Sequence, residues 1–420
     1  GFAGDESLLT ERQLKTGGKP WEFGNEVILD AGSKFRAVAI SADGVVFDGF
    51  TVMNGKTTGT GNDHALCGAG IYTMNGGVVI SNCIVKKNYC ESVGAGIGIR
   101  TNTGDVLIEN CLVTANTGKN NGGGIGLYGN SATLTVRSCE ITDNQGTNGG
   151  GVYVFKGKIE NSVISGNTGT TAAVYLRSYA SSTIYNSLVA ENTVTGEGGA
   201  IYCQTANNAG VYNCTVVKNN GGGLYYKVSP TDLPVVNTIF WGNKKDGEIR
   251  EFSADSGQSA ENVKMTYTAY DGTETYDGAG NLHLTQEESA IFAEGWTLTI
   301  LSPCVDKGTE ITGIPEKDLA GNARKSNGMI DMGAYEFQAA LDEFRIDFRN
   351  ETIAFKADVS KRVECSVSRS PWTSEEFSSL IGREKRVIYC RAEGGTEVYE
   401  IALPGRYFPS AEIDFSLEKL

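Results

Sequence analysis

Tyr72, Tyr153, Tyr175, Tyr202 and Tyr225 share one local address. Each stands four residues after the start of a small-residue triplet: Gly68-Ala-Gly, Gly149-Gly-Gly, Thr171-Ala-Ala, Gly198-Gly-Ala and Gly221-Gly-Gly. Gly98 and Gly126 hold the same place after Gly94-Ala-Gly and Gly122-Gly-Gly. Two residues further along stand Met74, Arg100, Tyr128, Phe155, Arg177, Gln204 and Lys227. Residues two apart on a strand share a face, so stacked segments would make these two columns of one outward surface. Flat rings at regular spacing can stack against sugar rings, while Arg100, Arg177 and Lys227 can donate to hydroxyls or carboxylates. A structural reading stands beside this one, because Tyr is favoured in strands and stacked neighbours support each other.

The two columns, as read from the triplets, contain no Asp or Glu. Glycosidic hydrolysis needs a pair of carboxylates flanking the bond. Elimination from a uronate needs a base and usually Ca²⁺ held by several carboxylates. The nearest acids are Asp63, Glu91 and Glu197 before the strands and Asp105 after one, each from a different repeat. His64, in the loop of residues 57–66, is the one imidazole near this face; His283 lies outside the regular repeats. Weak catalytic candidates are therefore His64, Arg100, Arg177 and Lys227. Carbohydrate-binding candidates are Tyr72, Tyr128, Tyr153, Phe155, Tyr175, Arg177, Tyr202 and Tyr225. The Cys and His spacing matches no metal motif, so no cofactor is expected, with Ca²⁺ entering only if the protein works by elimination.

What would position these columns is a repeated phrase. It runs apolar, polar, Asn, small, apolar, apolar, two residues, Asn, as in Ile80-Ser-Asn-Cys-Ile-Val-Lys-Lys-Asn88 and Ile108-Glu-Asn-Cys-Leu-Val-Thr-Ala-Asn116. Further copies end at Asn144, Asn167, Asn192, Asn219 and Asn243, so that from Asn88 the final Asn recurs after 28, 28, 23, 25, 27 and 24 residues, and Asn54 ends a more divergent one. A period of about 20–30 residues carrying strands means a solenoid. Each coil should hold three short strands, one after the glycines, one before the first Asn and one between the two. Alternation points Ile80, Cys83 and Val85 inward, and Ser81 and Ile84 outward. Asn at both corners tolerates left-handed backbone and can bond the next coil. Stacked Asn side chains can satisfy one another, and coils would rise by about 4.8 Å each.

With these repeats the chain resembles the bacterial secreted right-handed parallel β-helix proteins of the pectate-lyase-like superfold. Gly1-Phe-Ala-Gly-Asp-Glu-Ser-Leu-Leu-Thr-Glu-Arg12 resembles an opening motif of large surface β-helix proteins. Ser302-Pro-Cys-Val-Asp-Lys-Gly308, Asp318-Leu-Ala-Gly-Asn-Ala-Arg324 and Asp331-Met-Gly-Ala-Tyr-Glu-Phe337 resemble their closing motifs. The resemblance covers roughly residues 1–338. It implies a secreted or outer-surface location and a chain that begins partway into its first coil or cap. It also implies that chemistry would sit on the outer face of the strands after the glycines, where enzymes of this superfold work.

Composition agrees. Gly is 55 of 420 residues but falls at fixed corners, which argues for a solenoid over disorder. A net charge of −14 disfavours nucleic acid as a partner. No stretch is long and apolar enough to span a membrane, and no signal peptide is visible, as in a mature processed chain. The suspected partner is a poly- or oligosaccharide, bound by a carbohydrate-binding or adhesin-like protein; a lyase or hydrolase with a non-standard site and a structural spacer are the alternatives. Regular coils should span about 38–243 and irregular coils 244–338, with a small β-sandwich over 339–420. Of the cysteines, Cys83, Cys111, Cys139 and Cys214 fill one inward slot that holds Ser162, Ser187 and Thr238 elsewhere. They read as packing thiols, with poor geometry for bridges between coils. Cys67 with Cys90, and Cys365 with Cys390, remain open as pairs.

Overall fold

A computed structural model of the chain describes residues 12–337, apart from 60–62, 102–103, 130–131, 178–180, 205–208, 228–231, 256–262, 300–301 and 326–328, together with five strands between Leu341 and Ala402. The contacts divide the chain into two units, 1–336 and 337–420.

The first unit is a parallel β-solenoid. The strands after the seven triplets, with Val38–Ile40 before them and Phe252–Ala254 after them, build a first sheet of nine. Those before the first Asn build a second, also of nine, from Val46–Asp48 to Val263–Thr266. Those between the asparagines build a third of eleven, from Val27–Asp30 to Leu282–His283. Three strands per coil were expected. A fourth ladder of two-residue strands follows the second Asn in six coils, from Lys56–Thr57 to Thr193–Val194. Its strands are too short to show a period in sequence. Alternation fills the core as expected: Ile80, Cys83 and Val85 are fully buried, and their counterparts in successive coils form one continuous apolar column. Ile84 faces out, whereas Ser81 is buried because its hydroxyl donates to Asp48 Oδ2 at 2.5 Å.

The two asparagines of the phrase do different work. The first, at 82, 110, 161, 186, 213 and 237, takes φ between 48° and 52°, as does Ser138 in the same slot. The second does so in the divergent copy, where Asn54 has φ 54°, but not from Asn88 to Asn243. There the residue before it turns left-handed: Lys87, Ala115, Asp143, Gly166, Glu191, Lys218 and Gly242. This frees the second Asn to point inward. Asn116 Nδ2 donates to Asn144 Oδ1 at 2.9 Å, and the Asn116 backbone N–H donates to the same oxygen at 3.0 Å. The pattern runs unbroken from Asn88 to Asn243. Each of these amides also donates to a carbonyl one coil earlier, as Asn144 does to Val113 at 2.8 Å. Every one of the seven is buried.

The small slot after the first Asn is also more than packing. Cys111, Cys139 and Cys214 each donate from Sγ to the carbonyl two residues back at 3.2 Å. Ser162, Ser187 and Thr238 do the same with hydroxyls at 2.7–3.0 Å. Burial holds Cys203, Cys214 and Cys304 as thiols, with pKa values pushed up to about 12. Cys67 and Cys90 are separate buried thiols in different apolar clusters, Cys67 beside Tyr72 and Val93, Cys90 beside Ala69 and Ala95, so the open pairing is resolved as unbridged.

Both flanking segments lie along the third sheet. Lys19 pairs with Glu140 at 2.8 Å. The closing motifs run back from the last coils: Asn237 Nδ2 donates to Thr309 O at 2.6 Å, Asn186 Nδ2 to Lys317 O at 2.8 Å, and Ala334 N to Thr215 Oγ1 at 3.0 Å. The closing segment is held by a buried ion pair, Arg324 to Glu336 at 2.9 Å, with Asp318 accepting from the Glu336 and Asn322 backbone N–H groups.

In the second unit, Leu341–Asp347 and Thr352–Ala357 pair antiparallel, and Val363–Ser366, Val387–Ala392 and Tyr399–Ala402 form a three-stranded antiparallel sheet.

Candidate functional site

Register confirms the first column as a column. Tyr72, Gly98, Gly126, Tyr153, Tyr175, Tyr202 and Tyr225 are successive partners across the first sheet. The tyrosines point outward but are not open. Tyr153 is 1% exposed, and Tyr72, Tyr175, Tyr202 and Tyr225 are 6–7% exposed. The reason is the coil rise. Identical rings one strand spacing apart are close enough to stack on each other. Tyr153 and Tyr175 lie 5.2 Å apart, Tyr175 and Tyr202 4.7 Å, and Tyr202 and Tyr225 5.1 Å, all stacked. Their faces are therefore spent on one another, which corrects the expectation of open stacking platforms at Tyr153, Tyr175, Tyr202 and Tyr225. Tyr72 is covered differently: the Arg36 guanidinium lies 4.4 Å over its ring, and burial pushes its hydroxyl pKa up to about 12. Gly98 explains the break in the row. A Cβ there would stand 2.4 Å from Gly68 N and 2.6 Å from Val93 O, so preceding loops cross the sheet where side chains are missing.

The second column is the accessible one. Met74 is 52% and Tyr128 37% exposed; Arg100, Phe155, Arg177 and Gln204 are half-buried and Lys227 is exposed. Cations and rings interleave along it. Arg100 lies 4.9 Å over Tyr128, Tyr128 meets Phe155 edge-on at 5.9 Å, and Arg177 lies 5.1 Å over Phe155. The tyrosine column anchors this row from beneath. Arg177 Nη1 donates to Tyr153 Oη at 3.1 Å, and Tyr175 Oη donates to Gln204 Oε1 at 2.9 Å.

One member of the second column was missed in sequence. The Lys227 backbone N–H donates to Cys203 O, and the Asp255 N–H donates to Tyr226 O in the same way one coil on. Asp255 thus continues the column past Lys227, and the face is not free of acid. Its carboxylate accepts from Tyr225 Oη at 3.2 Å and meets Lys227 Nζ at 3.3 Å. No triplet precedes this strand, because the hairpin of Lys244–Lys245 and Glu248–Ile249 interrupts the coil.

The remaining candidates do not converge. His64 lies in the one-turn helix Asp63–Leu66, and its side chain falls outside the described residues. Glu91 pairs with Lys119 at 2.7 Å, which holds its carboxyl below the ordinary value. Glu197 pairs with Lys245 at 2.7 Å. Asp105 accepts from Thr133 N at 3.0 Å. His283 ends the third sheet, with Nε2 2.6 Å from Gly272 O. Among the described residues no three of His, Cys, Asp and Glu gather as metal ligands.

A family model described as the right handed beta helix region matches residues 27–168 and 120–262, more than half of the chain. Among solved structures, the crystal structure of pectate lyase Pel9A is similar, with 14% identity and a TM-score of 0.46 over 74% of this chain and 77% of that one. No curated protein matches the sequence.

Proposed function

The chain belongs to the family of right-handed β-helix proteins, and from that premise we propose that it is a carbohydrate-binding or adhesin-like protein, secreted or held at the outer surface of a bacterial cell. The ligand lies along the second column, touching Tyr128, Phe155, Arg100, Arg177, Gln204 and Lys227. One observation carries this reading: the interleaved row in which Arg100 covers Tyr128 and Arg177 covers Phe155. Rings offer apolar area to sugar C–H faces, and guanidinium groups donate in a fork to hydroxyls or carboxylates. From Arg100 to Lys227 the row crosses five coil intervals, about 24 Å at strand spacing, a length suited to an extended oligosaccharide. Tyr72, Tyr153, Tyr175, Tyr202 and Tyr225 serve as the rigid floor that fixes the row. A glycan array probed with the wild-type chain and with Tyr128→Ala tests this. Signal on at least one oligosaccharide, reduced in the variant, is expected; equal signal from both rejects the site.

A second reading has its own observation. Lys227, Asp255 and Tyr225 meet at one end of the row, a base, an acid and a hydroxyl that could serve a polysaccharide lyase or glycoside hydrolase. Ca²⁺ would be the ion for elimination, but the described residues supply no converging donor set for it. Release of unsaturated uronate from acidic polysaccharides, lost in Lys227→Ala, would establish this reading. Absence of any ligand would leave a structural spacer.

A further inference from the structure

From the strand register of the second unit, we propose that Cys365 and Cys390 are joined by a disulfide bond that staples an edge strand of its three-stranded sheet to the central one. Cys365 on Val363–Ser366 is the direct partner of Cys390 on Val387–Ala392. Opposed residues of an antiparallel pair have Cα atoms about 4.5 or 5.5 Å apart, according to hydrogen-bonding class. A disulfide spans about 4.4–6.8 Å between Cα atoms, so the Cα spacing of an opposed pair falls within the range of the bond.

The face on which the pair stands agrees. Register places Val363, Cys365, Ile388, Cys390, Tyr399 and Ile401 on one face of this sheet; the other mixes Glu364, Ser366, Arg391 and Glu400 with Val387, Tyr389 and Ala402. The cysteines thus occupy the middle of the apolar face. A domain of this size builds only a small core, and cross-links supply what the core lacks. The chain's other eight cysteines are buried in the solenoid. There the stacked cysteines Cys83, Cys111 and Cys139 stand just before parallel strands of successive coils. In the second unit the two strands run antiparallel and the cysteines are brought opposite each other.

Formation joins two thiols as one S–S bond, releasing two protons and two electrons. The oxidant is a low-molecular-weight disulfide. One cysteine thiolate attacks it and releases a thiol; the second cysteine then displaces the other half as a second thiol.

The full chain is equilibrated in mixtures of reduced and oxidised glutathione, quenched with iodoacetamide and digested without reduction. The expected product at the oxidising end is one linked peptide pair carrying Cys365 and Cys390, two hydrogens lighter than the sum and separated by reductant. Cys365→Ser should abolish the linked pair and leave Cys390 alkylated or as a glutathione adduct. Recovery of both wild-type cysteines alkylated at the oxidising end, or linkage of either to another cysteine, overturns the proposal. The wild-type digest decides the matter even if the variant fails to fold.

Discussion

The Arg177 guanidinium lies 5.1 Å over the Phe155 ring while one of its nitrogens donates to Tyr153 Oη at 3.1 Å. One side chain thereby ties the buried column to the accessible one. The tyrosine ladder fixes where the cation sits.

Removing one rung of the Asn ladder should be costly. Asn167 accepts from Asn144, donates to Asn192 and donates to Ile141 O, all in a fully buried setting. Asn167→Ala strands partners on both sides, and each unsatisfied buried group costs about 1–3 kcal/mol. Denaturant unfolding of the variant should show a loss of about 2–5 kcal/mol. A change under about 0.5 kcal/mol would mean the ladder contributes little.

The corner before each ladder Asn offers a gain. Glu191 turns left-handed at φ 58°, where Gly166 and Gly242 stand in other coils. A non-Gly residue there costs about 1–2 kcal/mol. Glu191→Gly should therefore raise stability by about 0.5–1 kcal/mol after the entropy of glycine is counted. An unchanged or lower denaturation midpoint would contradict the assignment of strain to this corner.

The end of the ladder should be pH-sensitive. Asn243 donates from N–H and Nδ2 to Glu251, at 3.1 and 2.5 Å, where the next Asn would stand. Burial raises the Glu251 carboxyl well above its ordinary value, and the neighbouring Asp271 pushes it the same way. A folded-state pKa above the unfolded one favours the protonated native form. The stability it contributes is full below the unfolded value and lost as pH rises through the folded one. Glu251→Gln keeps an acceptor for Asn243 and gains a donor for Asp271. Its thermal midpoint should fall less than the wild type's between pH 5 and pH 9; parallel curves would remove Glu251 as the cause.

The thiol slot should accept hydroxyl. Cys139 Sγ donates to Arg137 O as Ser162 Oγ donates to Glu160 O one coil on. Cys139→Ser should change stability by less than about 1 kcal/mol, whereas Cys139→Leu overfills the slot and should cost about 1–3 kcal/mol. Chemical denaturation of the pair checks the contrast.

The solenoid was legible because its signals repeat: triplet, strand, Asn, small slot, Asn. The columns were legible too, since period-two alternation from Ile71 or Val152 fixes which residue points out. Burial of the tyrosines was not, because it depends on the spacing between rings of different coils and on loops that cross at Gly98. Asp255 was hidden for a different reason. The inserted hairpin at 244–249 breaks the phrase, so the strand Phe252–Ala254 carries no landmark although its register is regular. The division of labour between the two asparagines is likewise a matter of backbone angle, and the same letter at both corners conceals it.

Carbohydrate binding is proposed for the Arg100–Tyr128–Phe155–Arg177 row. Calorimetric titration of the full chain with an oligosaccharide from the array, set against Arg177→Ala, tests it most directly. Binding by the wild type and at least a tenfold weaker Kd in the variant, about 1.4 kcal/mol, are expected. Equal affinity in the two, with the variant folded, would contradict it.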